Sequence, residues 1–255
     1  MKGNNPGMPR CDDLQNGYRI WQDPGMFCFG VDAVLLGHYP RLRDGDRILD
    51  LCTGFAPVPL ILSARARDLG IAVSITGIEI EERAVELARL SVKDNGLEGQ
   101  VRIVTGDIRE AVDRFGAASF SLVTSNPPYM PVNGGLVGAD PVRAAARTEI
   151  RCTLRDVVSS AAKLLVPGGR FAMIHRPFRL PEIFGEMRSA RLEPKRLRLV
   201  YPYIDAEPTM VLVEGTKGGN PGLKTDSPLI IYGDDRQYTE EILAIYGRDG
   251  AASDP

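Results

Sequence analysis

A chain of 255 residues, 44% hydrophobic and 25% charged, is long enough for one large α/β domain and is neither fibrous nor disordered in composition. A net charge of −2 excludes a general nucleic-acid coat, which is strongly basic, and leaves room only for a local basic patch. No apolar run approaches the ~20 residues that span a bilayer, and the opening MKGNNPGMPR lacks a signal peptide's apolar stretch, so a cytoplasmic protein is expected.

Residues 1–45 form an N-terminal flap, aromatic-rich over 18–39 and ending in a helix over 31–37. Residues 46–216 alternate strand-like and helix-like runs. Strands are expected at 47–52, 72–80, 101–105, 120–124, 170–175, 196–201 and 210–214, and helices at 58–69, 82–95, 154–165 and 181–190. Asn95-Gly96 and Pro167-Gly168-Gly169 are helix-stopping chemistry. Residues 217–255 form an extension on the same domain, with a short strand or loop over 229–232 and a short helix over 239–246. The alternation predicts a mostly parallel sheet covered on both faces, and the closeness of the last two long strands predicts one antiparallel edge.

Cys11, Cys28, Cys52 and Cys152 have no CxxC spacing, and His38 and His175 are the only histidines. Neither a disulfide framework nor a metal centre is expected.

Three strand ends carry chemistry. Asp50, Cys52, Thr53, Gly54 and Ala56 occupy a strand, a tight loop and a helix start, where open α/β sheets bind ligands. Glu79 closes the second strand, where a carboxylate can accept from two ribose hydroxyls. Asp107 follows the third, where a carboxylate can accept from an adenine amino group; Ile80 and Ile108 complete the expected cofactor wall. An ordinary turn, a helix cap or a solvated charge is the plainer reading of each taken alone.

After the fourth strand comes Asn126-Pro127-Pro128-Tyr129. The Asn126 amide oxygen and the Pro127 carbonyl can accept from a planar NH₂ group, the prolines fix φ and remove competing donors, and Tyr129 can stack on a flat ring. A proline-rich turn leaving a strand is the bland alternative. This tetrapeptide resembles the signature of S-adenosylmethionine (SAM)-dependent methyltransferases of planar amines. The loop at Asp50 resembles their D-x-G-x-G-x-G pattern with Gly54 alone retained and small Cys52 and Ala56 at its flanks.

Longer segments narrow the resemblance. FCFGVDAVLL (27–36), ARTEI (146–150), LLVPGGRFAMIHR (164–176), LEPKRLR (192–198) and KGGNPGL (217–223) are similar to bacterial tRNA adenine-N6 methyltransferases that modify the anticodon-adjacent adenine of valine tRNA. That resemblance spans nearly the whole chain. It implies a Rossmann-like class I methyltransferase fold, with seven mostly parallel strands, one antiparallel edge strand and helices on both faces. It also implies SAM as cofactor and a tRNA or other structured RNA as partner, with neither metal nor membrane. It places Phe27, Phe29 and Asp32 over the cofactor or target base, although the two phenylalanines would equally suit a core. Arg143, Arg147, Arg151 and Arg155, four apart, present one helical face to phosphates, and Arg176, Arg179, Lys195, Arg196, Arg198, Lys217 and Lys224 add a second patch; solvated faces explain such runs equally well. The tetrapeptide leaves a glutamine amide and guanine N2 open as acceptors, and the altered loop leaves open an RNA-binding protein without turnover.

Overall fold

The computed structural model describes residues 8–129 and 152–247. Arg10–Asp13 (β1) and Arg19–Gln22 (β2) pair antiparallel, and Val31–His38 forms α1. The alternating region follows as Asp46–Leu51 (β3), Pro57–Leu69 (α2), Val73–Glu79 (β4), Glu82–Asp94 (α3), Val101–Thr105 (β5), Ala111–Phe115 (α4) and Phe120–Ser125 (β6). It continues with Leu154–Leu164 (α5), Leu165–His175 (β7), Leu180–Ser189 (α6), Leu192–Tyr201 (β8) and Met210–Lys217 (β9). The short pieces Lys224–Thr225 (β10), Leu229–Ile230 (β11) and Glu240–Ile245 (α7) finish the described chain.

The helices form where local chemistry favours them. α2 begins on Pro57, whose missing N–H is not needed in a first turn, and ends at Gly70 in the left-handed region. α3 buries the stripe Ala84, Val85, Leu87, Ala88, Ser91 and Val92 and leaves its charged face in water. α5 opens with a capping box in which Thr153 accepts from the Asp156 N–H and the Asp156 carboxylate accepts from the Thr153 N–H. The expected flap is a hairpin tied to α3: Trp21 N–H donates to Ser91 Oγ at 2.8 Å and Arg19 N–H to Asn95 Oδ1 at 2.9 Å.

The sheet runs β10-β8-β9-β7-β6-β3-β4-β5, with β11 also on β8. Two details differ from expectation. The main sheet holds nine strands among the described residues instead of seven, and the antiparallel strand β9 lies between β7 and β8, away from the edge. The count rises because β10 and β11, two residues each, pair parallel with the outer side of β8, and β9 is internal because β8 turns back to pair beyond it. Segments that short carry no readable period. β7 also starts five residues earlier than expected, because Pro167-Gly168-Gly169 is absorbed into the strand.

Alternation along the strands feeds two cores. Ile48, Leu122 and Ile174 face one layer with α2, while Leu49, Val123 and Phe171 face the other with Val157 and Ala161 of α5. Each fully buried Leu, Ile or Phe contributes roughly 1.5–3 kcal/mol. Strand order reverses between β3 and β6, where Leu51 is paired with Ser125. The residues that follow each strand therefore open side by side at the switch point, where α/β sheets bind ligands.

Candidate functional site

The loop after β3 keeps a glycine-like backbone without the glycines. Cys52 (φ +57°), Gly54 (φ +54°) and Ala56 (φ +65°) all lie in the left-handed region. For the two non-glycine residues this conformation costs roughly 1–2 kcal/mol each. Its hydrogen bonds offset that strain. Thr53 N–H donates to Ile78 O at 3.1 Å, and Thr53 Oγ1 donates to Asp50 Oδ2 at 2.6 Å. Thr124 Oγ1 reaches the other oxygen, Oδ1, at 2.6 Å. Asp50 is 2% exposed, and burial pushes its carboxyl up to about 7. It therefore supports the loop from beneath. Gly77 makes the close approach possible, since a Cβ there would lie 2.9 Å from the Thr53 side chain.

Glu79 faces the same loop. Its Oε2 accepts from Gly54 N–H at 2.9 Å, and Oε1 accepts from Ile80 N–H at 2.9 Å and Glu81 N–H at 3.1 Å. Asp107 caps the turn that follows β5 and accepts from the Arg109 backbone at 2.9 Å. The Arg109 guanidinium beside it holds the Asp107 carboxyl below its ordinary value. Cys52, Glu79, Ile80, Asp107, Ile108 and Cys152 line one cleft with Ile78 and Gly106. Three of these residues, Ile78, Gly106 and Asp107, also border an open cavity of about 420 Å³ with Glu110, Asp113 and Arg114. Ile80 is 39% exposed, an apolar side chain offered to the opening. Cys152 was not singled out from sequence; its Sγ lies 3.7 Å from Cys52 Sγ, and that contact, with burial, pushes the Cys52 thiol well up.

The tetrapeptide follows β6 directly. Asn126 is half-buried and Pro127 buried. Tyr129 does not wait as an open platform. Its hydroxyl meets Asp32 Oδ2 at 2.8 Å and makes a very short contact with Asn126 Oδ1. The Arg176 guanidinium carbon sits 4.8 Å from the Tyr129 ring centroid, and the His175 ring packs edge-on at 5.3 Å. Arg179, 4% exposed and paired with Glu182 at 2.6 Å, donates to Tyr129 O at 3.3 Å. His175 Nδ1 accepts the Arg176 N–H at 2.8 Å, so the ring proton sits on Nε2. Burial, then Arg179 and Arg176, push the His175 ring down to about 3, which keeps it neutral. His175 had no sequence signal for this place beyond ending a strand, and Arg179 was expected in a phosphate-facing patch and not on the Tyr129 carbonyl.

Among the other expected residues, Asp32 and Arg176 reach the tetrapeptide. Phe29 packs against the core, and Phe27 is 37% exposed. Lys195 is not brought to the site: its Nζ donates to Asn220 O, six residues before the carboxyl end of β8, which is roughly 20 Å of strand. The rest of the second patch is largely committed inside the chain, Arg196 to Asp226, Arg198 to Glu241 and Lys217 to Leu165 O. Arg143, Arg147 and Arg151 lie outside the described residues. Among the described residues no three His, Cys, Asp or Glu side chains gather as a metal set, and no helix is long and apolar enough to cross a membrane.

Residues 17–190 match the family model of the methyltransferase small domain. Among curated proteins the chain is 28% identical over 241 residues to the tRNA1(Val) (adenine(37)-N6)-methyltransferase of Tolumonas auensis, covering 89% of this chain and 92% of that one. It is 31% identical over 191 residues to the protein of that name from Porphyromonas gingivalis, covering 72% of each. A solved structure of a predicted O-methyltransferase from Agrobacterium tumefaciens superposes with a TM-score of 0.68 at 24% identity, over 88% of this chain and all of that one, and shares the fold.

Proposed function

The chain belongs to the methyltransferase small domain family and, within it, to the tRNA1(Val) (adenine(37)-N6)-methyltransferases, and we propose that it methylates N6 of the adenine beside the anticodon of valine tRNA with SAM as donor. It is an N-methyltransferase of tRNA adenine. The observation that carries the assignment to this site is the meeting of the Asp50–Ala56 loop and Asn126-Pro127-Pro128-Tyr129 on paired strands, through Leu51 and Ser125.

The residues fit the cofactor. An added Cβ at Gly54 meets nothing within 4 Å, so the loop leaves space above its backbone. Glu79 stands at the strand end suited to ribose hydroxyls, Ile80 offers an apolar face to a base, and Asp107 suits an exocyclic amine. SAM supplies an electrophilic methyl on a sulfonium.

The protein's own contribution is placement. An adenine amine is a weak nucleophile because its lone pair is delocalised. Asn126 Oδ1 and Pro127 O, held by proline-fixed backbone, accept its two N–H bonds and turn the lone pair toward the donor. Tyr129 gives the ring a wall, and the Arg176 guanidinium lies against that wall. No strong base is needed: once nitrogen carries the methyl, the surplus proton is acidic enough to leave for water. His175 agrees with this, since its Nδ1 lone pair already accepts the Arg176 N–H and burial makes the ring a poor base. An adenine in an anticodon loop reaches such a pocket without melting a duplex.

Incubation with labelled SAM and bulk tRNA made without modifications, followed by nucleoside analysis, tests the proposal. Label in N6-methyladenosine is expected; label on guanosine or on protein glutamine would replace adenine by another planar amine.

A further inference from the structure

Between Asp32 and Asn126 stands one hydroxyl with one proton. Tyr129 Oη lies 2.8 Å from Asp32 Oδ2 and in short contact with Asn126 Oδ1, and both are acceptors. A phenol can donate to only one of them. The contest is unequal, because a hydrogen bond to a carboxylate is roughly twice as strong as one to a neutral amide oxygen. Asp32 is 9% exposed, so water screens that charge little, and its Oδ1 is turned inward onto the Ala33 N–H at 2.9 Å. Its Oδ2 is thus held toward Tyr129 by its own helix.

We propose that Asp32 is a positioning residue for methyl transfer: by accepting the Tyr129 O–H hydrogen bond it sets which end of the Asn126 amide faces the target amine. This rests on the function proposed above. With the O–H pointed at Asp32, the hydroxyl turns a lone pair toward Asn126. The amide then lowers its energy by rotating its NH₂ to the hydroxyl and its Oδ1 away from it. That oxygen becomes the acceptor for the adenine N–H. Without the carboxylate the proton falls to Asn126 Oδ1, and Tyr129 occupies the acceptor that the substrate needs. Asp32 and Tyr129 are 97 residues apart, and α1 brings Asp32 to the residues that follow β6. The carboxylate never touches the substrate in this scheme.

The distinguishing test is a double-substitution cycle with unmodified tRNA. Asp32→Asn, which keeps size and polarity, is expected to lower kcat roughly tenfold to a hundredfold with KM for both substrates within about twofold. In a Tyr129→Phe background the same change should have almost no effect, since the contested proton is gone. Asp32→Glu, which restores a carboxylate, should recover part of the loss, and unchanged SAM affinity in each variant reports an intact fold. An equal loss from Asp32→Asn in both backgrounds overturns the proposal. A second readout needs no turnover: NMR of protein carrying ¹³Cζ-tyrosine and ¹⁵N-asparagine side chains. Asp32→Asn should shift the Tyr129 and Asn126 signals; unmoved signals overturn the proposal even if wild-type protein methylates no tRNA, the outcome that would sink the function itself.

Discussion

Glu79 Oε2 accepts the backbone N–H of Gly54 at 2.9 Å, so the acid expected to face a ribose already holds the loop beneath it. With Ile80 and Glu81 on its other oxygen, the carboxylate is an anchor for three backbone donors. The cofactor wall and the cofactor loop are therefore one unit. Bonds to a charged partner are worth about 1.5–3 kcal/mol each, more than neutral ones. Glu79→Gln should weaken SAM binding at least about tenfold in calorimetry and lower the melting temperature together with it. Unchanged affinity would show that the carboxylate serves the loop alone.

Cys52 carries a side chain at a backbone angle that favours glycine. A β-branched residue tolerates φ +57° far worse than cysteine does. Cys52→Val should destabilise the protein by about 2 kcal/mol or more in urea unfolding, whereas Cys52→Gly should stay within about 1 kcal/mol of wild type because relieved strain offsets chain entropy. Equal losses in the two variants would place the cost in the contact with Cys152 and not in the backbone.

Asp50 sets a pH dependence of stability. Burial raises its carboxyl from an ordinary 3.8 to about 7, so the folded state holds this proton more tightly than the unfolded chain. Between these values the native protein binds more protons, and stability falls as pH rises through that window. At about 1.4 kcal/mol per pKa unit the loss across the window is on the order of 4 kcal/mol. Asp50→Asn, which keeps the size, one acceptor oxygen for one threonine hydroxyl and an NH₂ that can donate to the other, should remove this slope. Urea midpoints from about pH 4 to 8 compare the two proteins; parallel curves would mean that Asp50 is ionised throughout.

Arg176 covers the Tyr129 ring and donates to Thr209 O at 2.9 Å. Its guanidinium lies against the tetrapeptide's aromatic ring, and we propose that it meets the RNA backbone around the target base. Arg176→Ala should raise KM for tRNA and lower the salt slope of tRNA binding by about 0.7, the share of one phosphate contact on a single strand. SAM affinity should not change. An unaltered slope would restrict Arg176 to packing on Tyr129.

What the sequence made legible is local. The apolar run ending at Ser125 and the Asn-Pro-Pro-Tyr that follows are contiguous, as are Asp50 to Ala56, so strand end and chemistry are read in one glance. What it hid is the long-range pairing of side chains. Cys152 meets Cys52 across 100 residues, and Asp32 was placed near the base only by resemblance, with its bond to Tyr129 unseen. Lys195 looked like part of a basic patch because charges were counted without strand direction. β8 starts at Leu192 and runs toward the site, which leaves Lys195 near its far end. The extra strand β10 was invisible for want of length, and β11 was legible only as a short strand or loop over 229–232.

The most direct test of the account is methyl transfer to unmodified valine tRNA by wild-type protein and by Asn126→Ala, with the product mapped to its nucleotide. Wild-type protein should place one methyl on N6 of the anticodon-adjacent adenine, a tRNA with guanine at that position should receive none, and Asn126→Ala should bind SAM yet lose transfer by roughly a hundredfold or more. Full transfer by Asn126→Ala, or a methyl that appears elsewhere on the tRNA, would contradict the account.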